Sequence, residues 1–329
     1  MGSERGRFCQ IPPSGIHWDI ASDAPGPRRS GRFAMLCTRR CLQLGRTLVR
    51  ISVVSDEISD DFEEAVELGQ RLGVDAFELR WVRPAGSFER RRVGDLSDEE
   101  ALALADVAGR YGAEISSIAP GLFQCPWAGS DALEAQLARL ERAFRLAELL
   151  GVRRIVVHGF QPADPRRNGI CPPGVIDALG LAARRAEAAG FQLLLKNSGD
   201  CYADTGAHTA AMVHAVHSRA LGVSWDPCHA SRLGEDAVGD GYGWVAPFVH
   251  DVRVKDQVRS DGLGYEYTVV AEGTMDWPAQ LRALAGAGYR GTVTVGAQME
   301  PRLLTTMKSL EALRQLLHEA EADAPAQGA

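Results

Sequence analysis

The side chains best suited to chemistry fall at the ends of predicted β-strands. Asp226 ends one apolar strand and His229 follows it by about one helical turn, a spacing at which a carboxylate and an imidazole can share proton transfer or ligate a metal. Lys196 and Asn197 end the preceding strand. Because charged groups are rarely buried unless paired, this convergence predicts an active site with Lys196, Asp226 and His229 as catalytic residues. The remaining candidates, expected to bind substrate, are Glu57, Glu78, Arg80, His158, Asn197, Arg253, Lys255 and Asp256.

Several of these residues also have a purely structural interpretation. Glu78 and Arg80 lie two apart on one strand face and can pair with charges on neighbouring strands. His158 can be a buried imidazole with satisfied ring nitrogens, and Lys255 with Asp256 can form a local ion pair. The sequence leaves both interpretations open for each of them.

The elements that position these residues repeat along the chain. Amphipathic helices end at Gly73, Gly112, Gly151 and Gly190, which are spaced 39, 39 and 39 residues apart, and an apolar strand follows each. Ser97 with Glu100, and Asp131 with Glu134, have the spacing of capping boxes at helix starts. The predicted strands are 50–54, 77–82, 115–119, 154–159, 193–197, 222–226, 249–256 and 291–296, and a final helix is predicted over 303–320.

Eight strands alternating with helices predict an α/β fold consisting of a single (β/α)8 TIM barrel over residues 49–320. A doubly wound open sheet is disfavoured, because the turn after the first strand reads SDEISDD and lacks a glycine fingerprint. Residues 1–48 lack sustained periodicity and are expected to be a disordered extension, with an arm packed on a partner subunit as the alternative. Residues 321–329 are expected to be a disordered tail.

Composition restricts the partners and the compartment. A net charge of −7 argues against a nucleic-acid partner, and no stretch approaches the roughly 20 apolar residues of a membrane span. Seven scattered cysteines form neither a disulfide framework nor a metal cluster, which favours reduced thiols and a cytoplasmic location. We therefore expect a small-molecule, carbohydrate-like substrate, no membrane or nucleic-acid partner, and an oligomeric state for which a homodimer is one option.

Six motifs give the chain a resemblance to the sugar phosphate isomerase/epimerase superfamily, the xylose isomerase-like TIM barrels. The resemblance implies a divalent metal held by Glu, Asp, His and Glu on the fifth to eighth strands, with the glutamates moving protons. It covers about residues 50–316. The motifs are SDEIS at 55–59, FELR at 77–80, WDPCH at 225–229, VKD at 254–256, EGTMDW at 272–277 and GYRGTVTV at 288–295.

The chain departs from this pattern at three of the four implied metal ligands. Lys196, Arg253 and Gly296 occupy the fifth-, seventh- and eighth-strand positions, so Asp226 is the one family ligand retained. Neither lysine nor arginine offers a lone pair to a metal. No cofactor is therefore expected, unless a Mn, Mg or Zn site is rebuilt around Asp226 and His229. Glu300 would return one acid to the site if the eighth strand slipped by four residues.

These substitutions predict a divergent, metal-independent enzyme of the superfamily. Asp226 or His229 would abstract a proton next to a carbonyl while Lys196, Arg253 and Lys255 bind or polarise oxygens, which leads to isomerisation, epimerisation or dehydration of a polyhydroxylated or keto compound. Two alternatives stay open: a Schiff-base lyase that uses Lys196, and a catalytically inactive binding protein in which Lys196 and Asp226 form only an ion pair.

Overall fold

A computed structural model describes residues 42–44, 47–164, 171–260 and 264–322, all within one compact unit, Arg39–Ala329. Its strands are β1 Leu42–Leu44, β2 Thr47–Val54, β3 Ala76–Leu79, β4 Trp81–Val82, β5 Arg91–Arg92, β6 Glu114–Leu122, β7 Arg154–Val157, β8 Gln192–Lys196, β9 Leu221–Trp225, β10 Val249–Val254, β11 Asp256–Ser260, β12 Gly264–Thr268 and β13 Thr292–Val295. Its α-helices are α1 Phe62–Arg71, α2 Asp98–Tyr111, α3 Ser130–Leu149, α4 Pro173–Ala189, α5 Gly206–Val216, α6 Pro227–Arg232, α7 Tyr242–Val245, α8 Trp277–Gly286 and α9 Arg302–Ala322.

Eight of these strands close a parallel barrel in the order β2-β3-β6-β7-β8-β9-β10-β13. Closure occurs at β2, whose Val53 lies opposite Phe77 of β3 on one side and Val295 of β13 on the other. The predicted (β/α)8 barrel is confirmed. Because all eight strands run the same way, their carboxyl ends meet at one mouth.

The glycine terminators behave as the sequence predicts. Gly112 and Gly190 end α2 and α4 in the left-handed conformation, with φ of 60° and 75°. The capping box of Ser97 and Glu100 forms at the start of α2. The second predicted capping box is wrong: α3 begins at Ser130, one residue before Asp131, and its N-cap residue, Gly129, provides no side chain.

Four barrel strands, the second, fourth, seventh and eighth, are each two residues shorter than predicted, and after two of them the chain continues into an antiparallel hairpin. The second ends at Leu79, and the following β4 pairs antiparallel with β5. The seventh ends at Val254, and β11, which starts at Asp256, pairs antiparallel with β12. Both hairpins follow the carboxyl ends of barrel strands and pair separately from the barrel, so they do not extend it.

The domain boundaries also move slightly. The first barrel strand starts at Thr47, and β1 pairs antiparallel with it, so residues 42–44 and 47–48 of the predicted extension are ordered strand. At the other end, α9 continues to Ala322, two residues past the predicted end. The rest of the predicted extension and tail lies outside the described residues. Among the helices that the structure describes, none is long and apolar enough to cross a membrane.

Candidate active site

A cavity of about 190 Å³ opens at the carboxyl ends of the barrel strands. This is below the roughly 300–1,000 Å³ of drug-sized ligand sites, so it suits a compact molecule. Its walls come from the barrel strands and from the β4–β5 hairpin. The lining residues are Val54, Glu78, Arg80, Trp81, Arg92, Ala119, Gln124, Val156, His158, Lys196, Asp226, Arg253, Val254, Lys255, Thr294, Gly296 and Gln298.

Asp226 lies at the centre of the charged cluster. It follows β9 and caps α6, where its Oδ1 accepts from the backbone N–H of His229. Its Oδ2 lies 2.8 Å from Lys255 Nζ and 3.6 Å from Lys196 Nζ. Burial by itself raises the pKa of Asp226, but the positive charges of Lys255 and Lys196 outweigh it and bring the pKa below its usual value. The carboxylate is therefore ionised and already paired.

Asn197 holds the backbone of Asp226 in place. Its Oδ1 accepts from the Asp226 N–H at 2.6 Å, and its Nδ2 donates to the Asp226 carbonyl at 2.8 Å. The Asn197 side chain is fully buried and is not among the residues that line the cavity. Asn197, predicted to bind substrate, therefore does not face the cavity. It instead positions the backbone of Asp226.

Lys196 extends from the end of β8 into the cavity, with 17% of its side chain exposed. Burial lowers its pKa to about 8, and the neighbouring positive charges of Lys255, Arg253 and Arg80 act in the same direction, against the opposing effect of Asp226. Lys255 differs: its burial is outweighed by Asp226, which raises its pKa. Of the two amines, Lys196 therefore releases its proton more readily.

His229 is near the cluster but outside the cavity lining. Its Nε2 lies 3.6 Å from Asp226 Oδ2, and burial lowers its pKa to about 3 even though Asp226 opposes the shift. The imidazole is thus neutral at pH 7. It contacts Asp226 but is not among the residues that line the cavity.

Arg253 spans the barrel interior to a carboxylate three strands away. Its Nη1 and Nη2 donate to the two oxygens of Glu78 at 2.6 and 2.5 Å, and both side chains are buried. Its Nε donates to Ser224 Oγ at 2.8 Å and lies 2.9 Å from an oxygen of Asp251. Burial alone lowers the pKa of Arg253, but the carboxylates of Glu78 and Asp251 raise it by more, so the pKa lies above its usual value. The guanidinium is therefore permanently charged and held in a fixed position.

A second arginine network closes the neighbouring wall. Arg80 Nη2 donates to Asp56 and to Glu57, each at 2.7 Å. Glu57 also accepts from the backbone N–H of Gln298 at 3.0 Å. Glu57 is buried and faces Arg80 rather than the cavity, so the structure gives this predicted binding residue a supporting position.

His158 lies in the cavity wall with 8% of its surface exposed. Burial lowers its pKa to about 3, and the charge of Lys196 acts in the same direction. Its Nδ1 has no hydrogen-bond partner among the described residues. This contradicts the structural interpretation of His158 as a core imidazole in which both ring nitrogens form hydrogen bonds.

Two predicted binding residues lie away from the cavity. Asp256 is fully buried and accepts from the backbone N–H groups of Gln257, Ala271 and Met275, which fixes the loop after β12. Glu300 has 80% of its side chain exposed and pairs with Arg302 at 3.4 Å. The predicted return of Glu300 to the site does not occur: β13 ends at Val295, Gly296 lines the cavity directly after it, and Glu300 is not among the lining residues.

Sequence reasoning missed five polar or aromatic lining residues, one of which, Thr294, lies on β13. Arg92 and Trp81 come from the β4–β5 hairpin, while Gln124 and Gln298 follow the third and eighth barrel strands. The Arg92 guanidinium lies 4.7 Å from the centre of the Trp81 ring, and Nη1 donates to Gln124 at 3.3 Å. The arginine run at 90–92 was the available signal, but nothing local indicates which member faces the barrel.

The donor set of this site does not fit a divalent metal. In the part of the chain that the structure describes, no group of three or more His, Cys, Asp or Glu side chains is arranged to hold one. Asp226 is surrounded by two ammonium groups, which compete with a cation for the same oxygen. A site rebuilt around Asp226 and His229 would supply two ligands, fewer than such ions require.

Comparison with known proteins agrees with this architecture. A model of the xylose isomerase-like TIM barrel matches residues 66–316. No curated protein matches the sequence. The structure of an L-ribulose 3-epimerase superposes with a TM-score of 0.67 at 18% identity, and the match covers 85% of this chain and 98% of the epimerase chain. A D-tagatose 3-epimerase-like protein superposes with a TM-score of 0.67 at 18% identity, and the match covers 83% of this chain and 98% of that protein. The probable 3-DHS dehydratase AsbF from Bacillus anthracis superposes with a TM-score of 0.65 at 14% identity, and the match covers 80% of this chain and 98% of the dehydratase chain.

Proposed function

The chain belongs to the xylose isomerase-like TIM barrel family, and from that premise we propose that it is a metal-independent enzyme that abstracts a proton next to a carbonyl group. The substrate is a small polyhydroxylated or keto compound, and the product arises by isomerisation, epimerisation or dehydration. One observation carries this proposal: at the barrel mouth, the described residues that line the cavity carry five cationic side chains and only two carboxylates, Asp226 and Glu78, and Asp226 lies between two ammonium groups.

Lys196 is the residue best placed to move the proton. It reaches into the cavity, and its only ionic partner among the described residues, Asp226, lies closer to Lys255. A pKa of about 8 is consistent with this role, because a neutral amine is then accessible near neutral pH. Asp226 and His229 are less suited, since the former is a weak base with a lowered pKa and the latter does not line the cavity.

The remaining cations supply electrostatic stabilisation. When the proton leaves the carbon, negative charge develops on the carbonyl oxygen, and a fixed positive group in a water-poor site stabilises it without reorganising. Lys255 and Arg253 both line the cavity and are held by Asp226 and Glu78 respectively. Return of the proton from Lys196 to the other face of the same carbon gives an epimer. Its transfer to the neighbouring carbon, together with movement of the hydroxyl proton from one oxygen to the other, gives an isomer. If Lys196 instead gives the proton to a β-hydroxyl, that group leaves as water while the enolate re-forms the carbonyl beside a new C=C bond, which is dehydration.

Solvent-deuterium exchange tests the proposal without knowledge of the natural substrate. The protein is dialysed against EDTA and incubated in D2O with L-ribulose, D-tagatose or a hydroxylated keto acid, and 1H NMR follows the proton next to the carbonyl. We expect exchange by the wild type and a loss of about 100- to 10,000-fold in Lys196→Met, the usual contribution of a general base. Lys308→Met, which alters an exposed lysine of α9, is the matched control and should exchange like the wild type. Exchange that appears only after Mn or Mg is added contradicts the proposal, as does binding of these compounds without any exchange.

A Schiff base at Lys196 is the second candidate function. The observation that favours it is the same lowered pKa of about 8, produced by burial and by neighbouring cations, which makes the amine a nucleophile. Its nitrogen would attack the substrate carbonyl carbon with loss of water, and borohydride would reduce the resulting C=N bond to a stable amine. Intact-mass analysis after borohydride treatment therefore separates the candidates: a mass increase that disappears in Lys196→Met supports the Schiff base, and an unchanged mass contradicts it.

A further inference from the structure

The cavity contains more positive charge than its own walls neutralise. Two of its five cationic side chains are matched by lining acids, Arg253 by Glu78 and Lys255 by Asp226. A third cation, Arg80, is neutralised by Asp56 and Glu57 behind the wall. The other two are Lys196, which shares Asp226 with the closer Lys255, and Arg92.

Arg92 is held in position by groups that carry no charge. Trp81 packs against its guanidinium, and Gln124 accepts a hydrogen bond from Nη1. Gly121 allows this arrangement, because a Cβ on that residue would lie within 3.0 Å of Arg92 Nη1 and Cζ. Among the described residues Arg92 forms no ion pair with a carboxylate, in contrast to the neighbouring Arg91, which pairs with Glu100. The Nη2 and Nε groups of Arg92 are therefore available to a ligand.

An independent observation points to a ligand in the same cavity. His158 lines it, is more than nine-tenths buried, and leaves Nδ1 without a hydrogen-bond partner among the described residues. Leaving such a buried polar group unpaired is unfavourable, because it has lost its hydrogen bonds to water without gaining a partner. An oxygen of a bound molecule would satisfy it.

We propose that the cavity binds a compact hydroxy or keto acid, whose carboxylate is held by Arg92 and whose adjacent oxygen lies by His158 and Lys196. This inference rests on the proposed function and adds the substrate class to it. A guanidinium edge matches a carboxylate, since two parallel N–H donors meet two oxygens. Trp81 covers a face of Arg92 and so leaves that edge as the binding surface. The small cavity, about 190 Å³, favours an acid of a few carbon atoms.

Isothermal titration calorimetry with three-carbon probes tests the assignment apart from any turnover. D-Glycerate presents a carboxylate beside a hydroxyl, glycerol is its neutral counterpart, and glycerol 3-phosphate carries a phosphate. We expect glycerate to bind the full-length protein at least about tenfold more tightly than glycerol, because a hydrogen bond to a charged group contributes about 1.5–3 kcal/mol. Arg92→Gln should weaken glycerate binding about 10- to 100-fold and leave glycerol binding unchanged.

Two further variants keep the test sharp. Arg91→Gln removes the adjacent arginine, which does not line the cavity, and should bind glycerate like the wild type. Arg92→Lys retains the charge without the planar edge, and should recover only part of the affinity, whether or not the Gln variant folds well. Preference for glycerol 3-phosphate over glycerate, equal affinity for glycerol and glycerate, or full affinity in Arg92→Gln would each overturn the assignment. Deuterium exchange on neutral ketoses would persist in those cases if the proposed function alone is correct.

Discussion

Removal of Arg253 tests whether the buried bridge across the barrel determines stability. In Arg253→Met, the Glu78 carboxylate stays buried at 1% exposure and keeps one side-chain donor among the described residues, Ser117 at 2.8 Å. Breaking a buried ion pair by removing one partner typically costs about 3–5 kcal/mol. We expect that decrease in the free energy of unfolding at pH 7, measured by urea titration with circular dichroism. Arg185→Met removes an exposed pair with Glu141 and should cost at most about 1 kcal/mol.

The pH dependence of the free energy of unfolding provides an independent test of the same bridge. In the wild type, burial raises the pKa of Glu78 but Arg253 more than offsets it, so the folded pKa is below the ordinary value of 4.5 for a glutamate. The pair therefore stabilises the protein above pH 4.5, and this contribution is lost as pH falls through the lower folded value. Without Arg253, burial alone raises the pKa, and protonation becomes a route to relieve the unpaired charge. The cost of the substitution should thus be smaller at pH 5 than at pH 7.

A double variant tests whether the loss of stability in Arg253→Met comes from the unpaired charge of Glu78. Glu78→Leu with Arg253→Met removes both charges, and Asp251 keeps three hydroxyl donors from Ser224, Thr292 and Thr294. Replacing a whole buried pair by apolar side chains is often neutral or stabilising, so most of the lost stability should return. A single-variant cost below about 1 kcal/mol, a cost that is equal at pH 5 and 7, or a double variant no more stable than Arg253→Met would refute this reasoning.

Three other expectations concern the same mouth. Asn197→Ala should lower the free energy of unfolding by about 1–3 kcal/mol, because the buried N–H of Asp226 loses its acceptor, and urea titration measures this. NMR titration should find the rings of His158 and His229 uncharged from pH 8 to pH 5. Since their folded pKa of about 3 lies below the ordinary histidine value of 6.5, their contribution to stability should decline as pH falls from about 6.5 toward 3, and an increase in stability in that range would contradict this expectation. Dialysis against EDTA should leave the thermal midpoint unchanged, and a fall that Mn or Zn reverses would contradict the donor-set argument.

The fold followed from local patterns in the sequence. Helix-ending glycines and apolar runs specify where each element begins and ends, because backbone conformation and periodic burial act over a few neighbouring residues. Asp226 and Lys196 could be assigned to the mouth for the same reason: each ends a strand, and parallel strands end together. The residue types alone also showed that Lys196, Arg253 and Gly296 occupy positions at which the resemblance implies metal ligands.

The partner of each charged group was decided by the tertiary structure. Glu78 and Arg253 are 175 residues apart, and only barrel closure and strand register bring them into contact. Arg92 faces the cavity because a two-stranded hairpin, stacked on Trp81, folds back over the mouth. Asp256 instead holds a loop and Glu300 faces solvent, although sequence position suggested the site for both. Periodicity specifies which face of an element is buried, whereas the charge that a buried side chain meets depends on elements far away in the chain.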